Sequence, residues 1–194
     1  MKLVLASANP DKLTELRKLL NQHDIVAIGE LIPEWDVEET GLTLEENALL
    51  KARSAAEATG ITAIADDTGL FVWALGGAPG VYTARYAGEK CSYSDNTEKL
   101  LTALKGENGD RRKAHFRTVI AMVTPQGDEH IFQGRVEGVI ADKHRGDSGF
   151  GYDPVFYSFE LGCTFSECTP EEKSSVSHRG RAIRALMDYL AALK

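Results

Sequence analysis

The chain is 194 residues long, 43% hydrophobic and 26% charged, with 22 Lys and Arg against 29 Asp and Glu and a net charge of −7. That balance argues against broad binding to nucleic acid, which depends on neutralising many phosphates, while leaving room for one small anion drawn in by local cations. No apolar run reaches the about 18 residues that cross a bilayer. The start Met1-Lys2-Leu3-Val4-Leu5 is too short for a secretion signal, and Cys91, Cys163 and Cys168 form no C-x-x-C pair. The expectation is a cytoplasmic protein with no disulfide framework and no zinc site.

In chain order, Leu3–Ala6 predicts a buried strand, and Leu13, Leu16, Leu19 and Leu20 predict a helix from about Pro10 to Leu20. Between them lies Ser7-Ala8-Asn9-Pro10-Asp11-Lys12, with Asn9 as cap and Pro10 in the first turn. Such a junction is expected to aim unpaired backbone N–H groups at one small volume beside Lys12, a recipe for holding phosphate. A short strand near Ile25–Ile28 comes next, then a loop ending in Glu38-Glu39-Thr40-Gly41. Thr43 to Glu46 reads as a capping box, opening a helix whose Ala48, Ala52, Ala55 and Ala56 share one face and which Gly60 ends.

Ile61–Ala65 predicts a buried strand that stops at Asp66-Asp67-Thr68-Gly69. Leu75 to Gly80 is turn chemistry, Asp95–Leu104 a helix, and Arg111-Arg112-Lys113 an exposed loop. Phe116–Val123 and His130–Ile140 read as an antiparallel pair joined at Pro125 to Asp128. A glycine-rich loop covers Gly146 to Asp153, Thr169 opens a short helix, and Ser177 caps a last one with a stripe of Ile183, Leu186, Leu190 and Leu193. Alternating strands and helices followed by a hairpin predict an α/β fold with a mixed sheet. Loops clustering near residues 66, 150 and 178 suggest two lobes about a cleft.

Three constellations carry chemistry. Adjacent carboxylates such as Asp66 and Asp67 repel each other unless a cation or donors compensate. With the second pair, Glu38-Glu39, they offer an oxygen-only donor set suited to Mg²⁺ or Mn²⁺. In Gly149-Phe150-Gly151-Tyr152-Asp153, glycines flank a ring that can stack on a nucleobase, and Asp153 is placed to accept an N–H. Lys173 and Ser177-His178-Arg179 complete the set, and His178 and Arg179 fall in the first turn of the last helix, the unfavourable end of its dipole, so a partner oxygen or an anion is expected there.

Taken together and in order, Ser7-x-Asn9-x-x-Lys12, Glu39-Thr40-Gly41, Asp66-Asp67-Thr68-Gly69-Leu70, Phe150-Gly151-Tyr152-Asp153, Lys173 and Ser177-His178-Arg179 resemble the noncanonical purine nucleoside triphosphate pyrophosphatases, the inosine triphosphatase or dITP/XTP diphosphatase family. The related septum-formation-inhibitor-like pyrophosphatases carry paired arginines where this chain has Asn9 and Lys12. The resemblance spans nearly the whole chain. It implies one catalytic domain over residues 1–194, with two lobes around a long mixed sheet and a substrate cleft. It also implies hydrolysis of ITP, dITP and XTP to the monophosphate and pyrophosphate, with Mg²⁺ as cofactor (Mn²⁺ able to replace it), in a cytoplasmic homodimer. By position, Ser7, Asn9 and Lys12 would hold the triphosphate, Glu39 and Asp67 the metal, and Asp67 would be general base. Glu38 is the alternative to Glu39. Thr68, where this family often has Ser, would contact substrate, and Phe150, Gly151, Tyr152, Asp153, Lys173, His178 and Arg179 would form the base and phosphate pocket.

Two other readings of the residues stand beside this one. A phosphate-monoester hydrolase could use Asp66 or Asp67 as nucleophile, although enzymes of that kind space the two aspartates as D-x-D. A nucleotide-binding protein without turnover is the other.

Overall fold

Three apolar residues and a terminal lysine make β1 (Lys2–Leu5), which pairs in parallel with β2 (Asp24–Ala27) on one side and β3 (Ala63–Val72) on the other. The computed structural model describes residues 1–193. A single sheet of eight strands has the order β2-β1-β3-β5-β6-β7-β8, with β4 (Pro79–Gly80) pairing antiparallel on β3. Here β5 is Lys113–Val123, β6 Glu129–Ile140, β7 Phe156–Ser158 and β8 Cys163–Thr164. The last three pair antiparallel in succession, so the sheet is mixed, as the sequence predicts. Thr124 and Asp128 close the turn between β5 and β6, which is too short to return the chain in any but the antiparallel sense.

Helix α1 (Pro10–Leu19) follows β1, and the short α2 (Ile28–Leu31) occupies a stretch expected to be loop. Helix α3 (Leu44–Thr59) begins at the Thr43 capping box, where Thr43 Oγ1 accepts the Glu46 N–H at 3.1 Å, and ends at a left-handed Gly60. Ser92 caps α4 (Tyr93–Ala103), slightly earlier than expected, and Thr169 caps α5 (Pro170–Val176). Ser177 precedes α6 (His178–Ala192) and accepts the Gly180 N–H at 3.0 Å. Among the described residues no helix is long and apolar enough to cross a membrane.

The chain divides into two compact units, each with its own core. The first comprises Met1–Asp67, Thr118–Gly134 and the C-terminal stretch from Ala182. In it Leu3, Leu5 and Ile64 are buried with Leu16 and Leu20 of α1 and Ala182, Ile183, Leu186 and Leu190 of α6. Leu193 does not extend that stripe: it is exposed, one residue past the end of the helix. The second comprises Thr68–Arg117 and Arg135–Arg181. There Leu70, Val72, Phe116, Tyr152, Phe156 and Phe165 form the centre.

Two expectations fail for electrostatic reasons. Strand β3 does not stop at Asp66; it runs on to Val72, because lysines neutralise its carboxylates and Leu70 and Val72 supply further apolar side chains to bury. Nor is Arg112 in an exposed loop. Its guanidinium donates to the carbonyls of Ile140, Ala141, Leu104 and Glu107, fastening the segment before β5 to the end of β6.

Candidate active site

In the first unit, alternation along β3 decides everything. Successive side chains of a strand point to opposite faces. Ile64 and Asp66 therefore share the face that carries α1, and Asp67 turns to the other, where α3 packs against β1. Each aspartate meets a different lysine. Lys12 Nζ, from α1, lies 3.1 Å from Asp66 Oδ2, and Lys51 Nζ, from α3, lies 3.5 Å from Asp67 Oδ1. Asp66 and Asp67 are 1% and 6% exposed, so both charges sit out of water, where uncompensated they would be costly.

Lys51 is the hub. Its ammonium also donates to Glu39 Oε1 at 2.7 Å and to the Asp66 carbonyl at 2.9 Å. Burial opposes its charge, but Asp67, Glu39 and Asp66 outweigh that and hold its pKa above the ordinary lysine value. For Asp67 the balance goes the other way: burial raises its pKa, Lys51 and Lys12 pull it down, Glu39 and Asp66 push it up, and the net shift is upward.

Asn47 ties the acidic loop to this cluster. Its Nδ2 donates to Asp67 Oδ2 at 3.4 Å, and its Oδ1 accepts the Gly41 N–H at 2.8 Å. Gly41 has to lack a side chain here, since a Cβ would come within 2.5 Å of Asn47 Oδ1 and 2.7 Å of Glu46 Cβ. Glu39, two residues earlier, is thus delivered to Lys51, and through that ammonium it converges with Asp67.

The turn at Ser7 to Lys12 differs from expectation in one respect. Asn9 caps α1, with Oδ1 accepting the N–H groups of Asp11 at 3.0 Å and Lys12 at 3.2 Å, while Ser7 Oγ accepts the Asn9 N–H at 3.2 Å. The two amides expected to be unpaired are already used by the cap. Positive charge at this turn is the Lys12 ammonium.

A second cluster forms in the other unit. Asp153 Oδ2 accepts the Phe150 N–H at 2.9 Å and the Lys173 ammonium at 2.6 Å. Lys173 Nζ is 4.7 Å from the centroid of the Phe150 ring and Arg179 Cζ 5.6 Å, so two cations meet one aromatic ring. Arg179 Nη2 donates to Thr68 Oγ1 at 3.4 Å, supplying one partner oxygen expected at this helix end. Gly149 has a φ of +80°, and a Cβ there would run into the Asp153 carboxylate. Gly151 also adopts a positive φ, with open space around it.

Tyr152 and His178 are set into the core. The Tyr152 hydroxyl donates to the Thr83 carbonyl at 2.9 Å, and burial raises its pKa. His178 stacks on Phe116 with centroids 4.4 Å apart and planes 11° from parallel. The structure thus gathers Glu39 with Asp67 in one unit, and Thr68, Phe150, Asp153, Lys173 and Arg179 in the other. Asp67 and Thr68 are successive residues of β3.

Sequence reading missed Lys51 and Asn47. A signal for both was present. They sit at helical spacing beside the alanine stripe of α3, and a polar residue inside an apolar face needs a buried partner.

The donor chemistry bears on a metal. Among the described residues no three His, Cys, Asp or Glu side chains form a closed metal-binding group. Glu39 and Asp67 instead present carboxylate oxygens toward a single positive charge. This fits Mg²⁺, which is bound through one or two carboxylates and completed by water and substrate phosphates.

Comparison with known proteins agrees in extent. The model of the Ham1 family matches residues 3–189. A protein of Photorhabdus laumondii named dITP/XTP pyrophosphatase is 52% identical over 193 residues, covering 97% of this chain and 98% of that one. One of the same name from Thermoanaerobacter sp. strain X514 is 47% identical over 192 residues, covering 98% and 96%. Among solved structures, the Staphylococcus aureus Ham1 protein superposes with a TM-score of 0.90 at 46% identity over all of both chains. A HAM1 protein from Coxiella burnetii gives 0.90 at 41% identity over 99% of each.

Proposed function

Because this chain belongs to the Ham1 family, we propose that it hydrolyses the noncanonical purine nucleoside triphosphates ITP, dITP and XTP to the nucleoside monophosphate and pyrophosphate, removing them from the nucleotide pool. The observation that carries the reading is the convergence of Glu39 and Asp67 on the Lys51 ammonium, in a chain half identical to proteins named for this activity.

In this reading Ser7, Asn9 and Lys12 hold the triphosphate, with Lys12 as the countercharge and the Asn9 cap fixing the shape of the turn. Glu39 and Asp67 hold Mg²⁺, with Lys51 keeping the two carboxylates aligned. Bound there, the ion supplies charge neutralisation on the phosphates and acidifies water. Asp67 orients water for attack at the α-phosphorus and accepts its proton, and pyrophosphate leaves with its charge countered by Lys12. Catalysis is then mostly positioning and charge stabilisation.

The base is recognised by the other cluster. Phe150 stacks on the purine, its backbone held by the bond from its N–H to Asp153. Arg179 donates to the 6-oxo group, where adenine would present a donor instead, setting donor against donor. A cytoplasmic homodimer belongs to the same reading and rests on the family resemblance. Light scattering of the purified chain tests the dimer.

The deciding assay gives the purified chain Mg²⁺ and a panel of nucleoside triphosphates, with orthophosphate and pyrophosphate detected separately. Pyrophosphate and monophosphate from ITP, dITP and XTP in preference to ATP are expected. Orthophosphate as first product would make the protein a monoester hydrolase, and tight binding without metal-dependent turnover would make it a nucleotide-binding protein.

A further inference from the structure

Cys163 and Cys168 form no C-x-x-C motif, yet the fold brings them together. Their sulfurs lie 2.6 Å apart, and Cys168 Sγ donates to the Thr164 carbonyl at 3.1 Å. The turn between them is held by bonds that involve neither sulfur. Glu167 Oε2 accepts the Thr164 N–H at 2.8 Å and its hydroxyl at 3.0 Å, and the Glu167 N–H returns to the Thr164 carbonyl at 3.0 Å. Both thiols are therefore presented to each other by a preformed backbone.

The same turn supports the second cluster. Ser148 Oγ donates to the Ser166 carbonyl at 2.7 Å, and Ser166 returns its hydroxyl to the Ser148 carbonyl. The Ser166 N–H donates to the Asp153 carbonyl at 3.3 Å. Cys168 immediately precedes Thr169, the cap of the helix that carries Lys173.

We propose that Cys163 and Cys168 are a peroxide-sensitive dithiol that closes to an intrachain disulfide, pinning the turn that supports Asp153 and opens α5. The chemistry needs a hydroperoxide such as H₂O₂. The half-buried Cys163 reacts first: its thiolate attacks one peroxide oxygen, the O–O bond breaks, and the departing hydroxide takes up a proton to become water. Burial holds the Cys168 thiol up to about 12, which reserves it for the second step. Its sulfur attacks the Cys163 sulfenic acid, the S–O bond breaks, and hydroxide leaves as water with the Cys168 proton. Two thiols lose two electrons to one peroxide, and two waters form.

The test uses the full-length chain, reduced and then exposed to H₂O₂. Cleavage after glutamate separates Cys163 from Cys168 at Glu167. The fragments 161–167 and 168–171 should then travel as one species two hydrogens lighter than their sum, and come apart with dithiothreitol. Reactive thiols should fall from three to one, Cys91 remaining, and Cys91→Ser should leave the crosslink intact. Oxidised protein should show a higher Tm than reduced protein, a difference lost in Cys163→Ser. Recovery of Cys163 as sulfinic acid with no crosslink, or a crosslink only between chains, would overturn the pairing. An unchanged Tm on crosslinking would overturn the pinning.

Discussion

Lys51 donates to Glu39 at 2.7 Å while keeping only 8% of its own surface in water. Removing that ammonium leaves the Glu39 and Asp67 carboxylates without the cation between them, while Asp66 keeps Lys12 on the other face of β3. Breaking a buried pair from one side typically costs about 3–5 kcal/mol, and the partial exposure of Glu39 favours the lower end. Lys51→Met should thus lose about 3 kcal/mol in urea unfolding without divalent cations. A loss under about 1 kcal/mol would show that water already screens the cluster.

Asp67→Asn keeps the size and most of the hydrogen bonding of the side chain but removes a base and a charge. With Asn47 and Lys51 still in place, the fold should survive, as circular dichroism would show. Turnover of ITP should drop by about 10²-fold or more. A variant working near the wild-type rate would take Asp67 out of the chemistry.

Arg179 faces the Phe150 ring from the first turn of α6, so its loss should be felt as selectivity. The ratio of kcat/KM for ITP over ATP should fall by about tenfold or more in Arg179→Ala, with Arg179→Lys intermediate. An unchanged ratio would assign the 6-oxo readout elsewhere.

His115 lies on β5, stacked on Phe71 with centroids 4.9 Å apart, and its buried Nδ1 has no hydrogen-bond partner. Burial lowers its pKa; Arg135 and Arg117 lower it further, and Glu137 only partly opposes them. In the unfolded chain the ring titrates near its ordinary value, about 6.5. The native state therefore binds fewer protons in the window just below that value, and stability there must decline as pH falls. Denaturant melts between about pH 7 and pH 5 should show this decline, and His115→Phe should flatten it.

Gly149→Ala tests the loop directly. A left-handed φ disfavours alanine by roughly 1–2 kcal/mol, and the added methyl displaces the carboxylate that holds both Phe150 and Lys173. The expected result is a raised KM for ITP together with a lowered Tm.

Local chemistry was readable wherever a side chain reports on its own neighbours in sequence. Asn9, Thr43 and Thr169 each cap a helix because a short polar side chain bonds the backbone two or three residues on, and nothing distant can alter that. Glu39, Asp67, Phe150, Asp153, Lys173 and Arg179 were legible through their joint pattern. What stayed hidden depends on partners far along the chain. Asp66 and Asp67 look like a strand end until Lys12 and Lys51 are seen to neutralise them. Arg112 looks solvated until carbonyls nearly thirty positions away claim it. Cys163 and Cys168 look unrelated because their meeting is made by a turn with no sequence signature of its own.

The period of two along β3 sets a constraint on recombining this protein with its relatives. One residue inserted between Ile64 and Asp66 would turn Asp66 toward the Lys51 face and Asp67 away from it without changing what the strand is made of. Chimaeras should therefore be joined outside residues 63–67. Within that stretch spacing, more than identity, is what must be inherited.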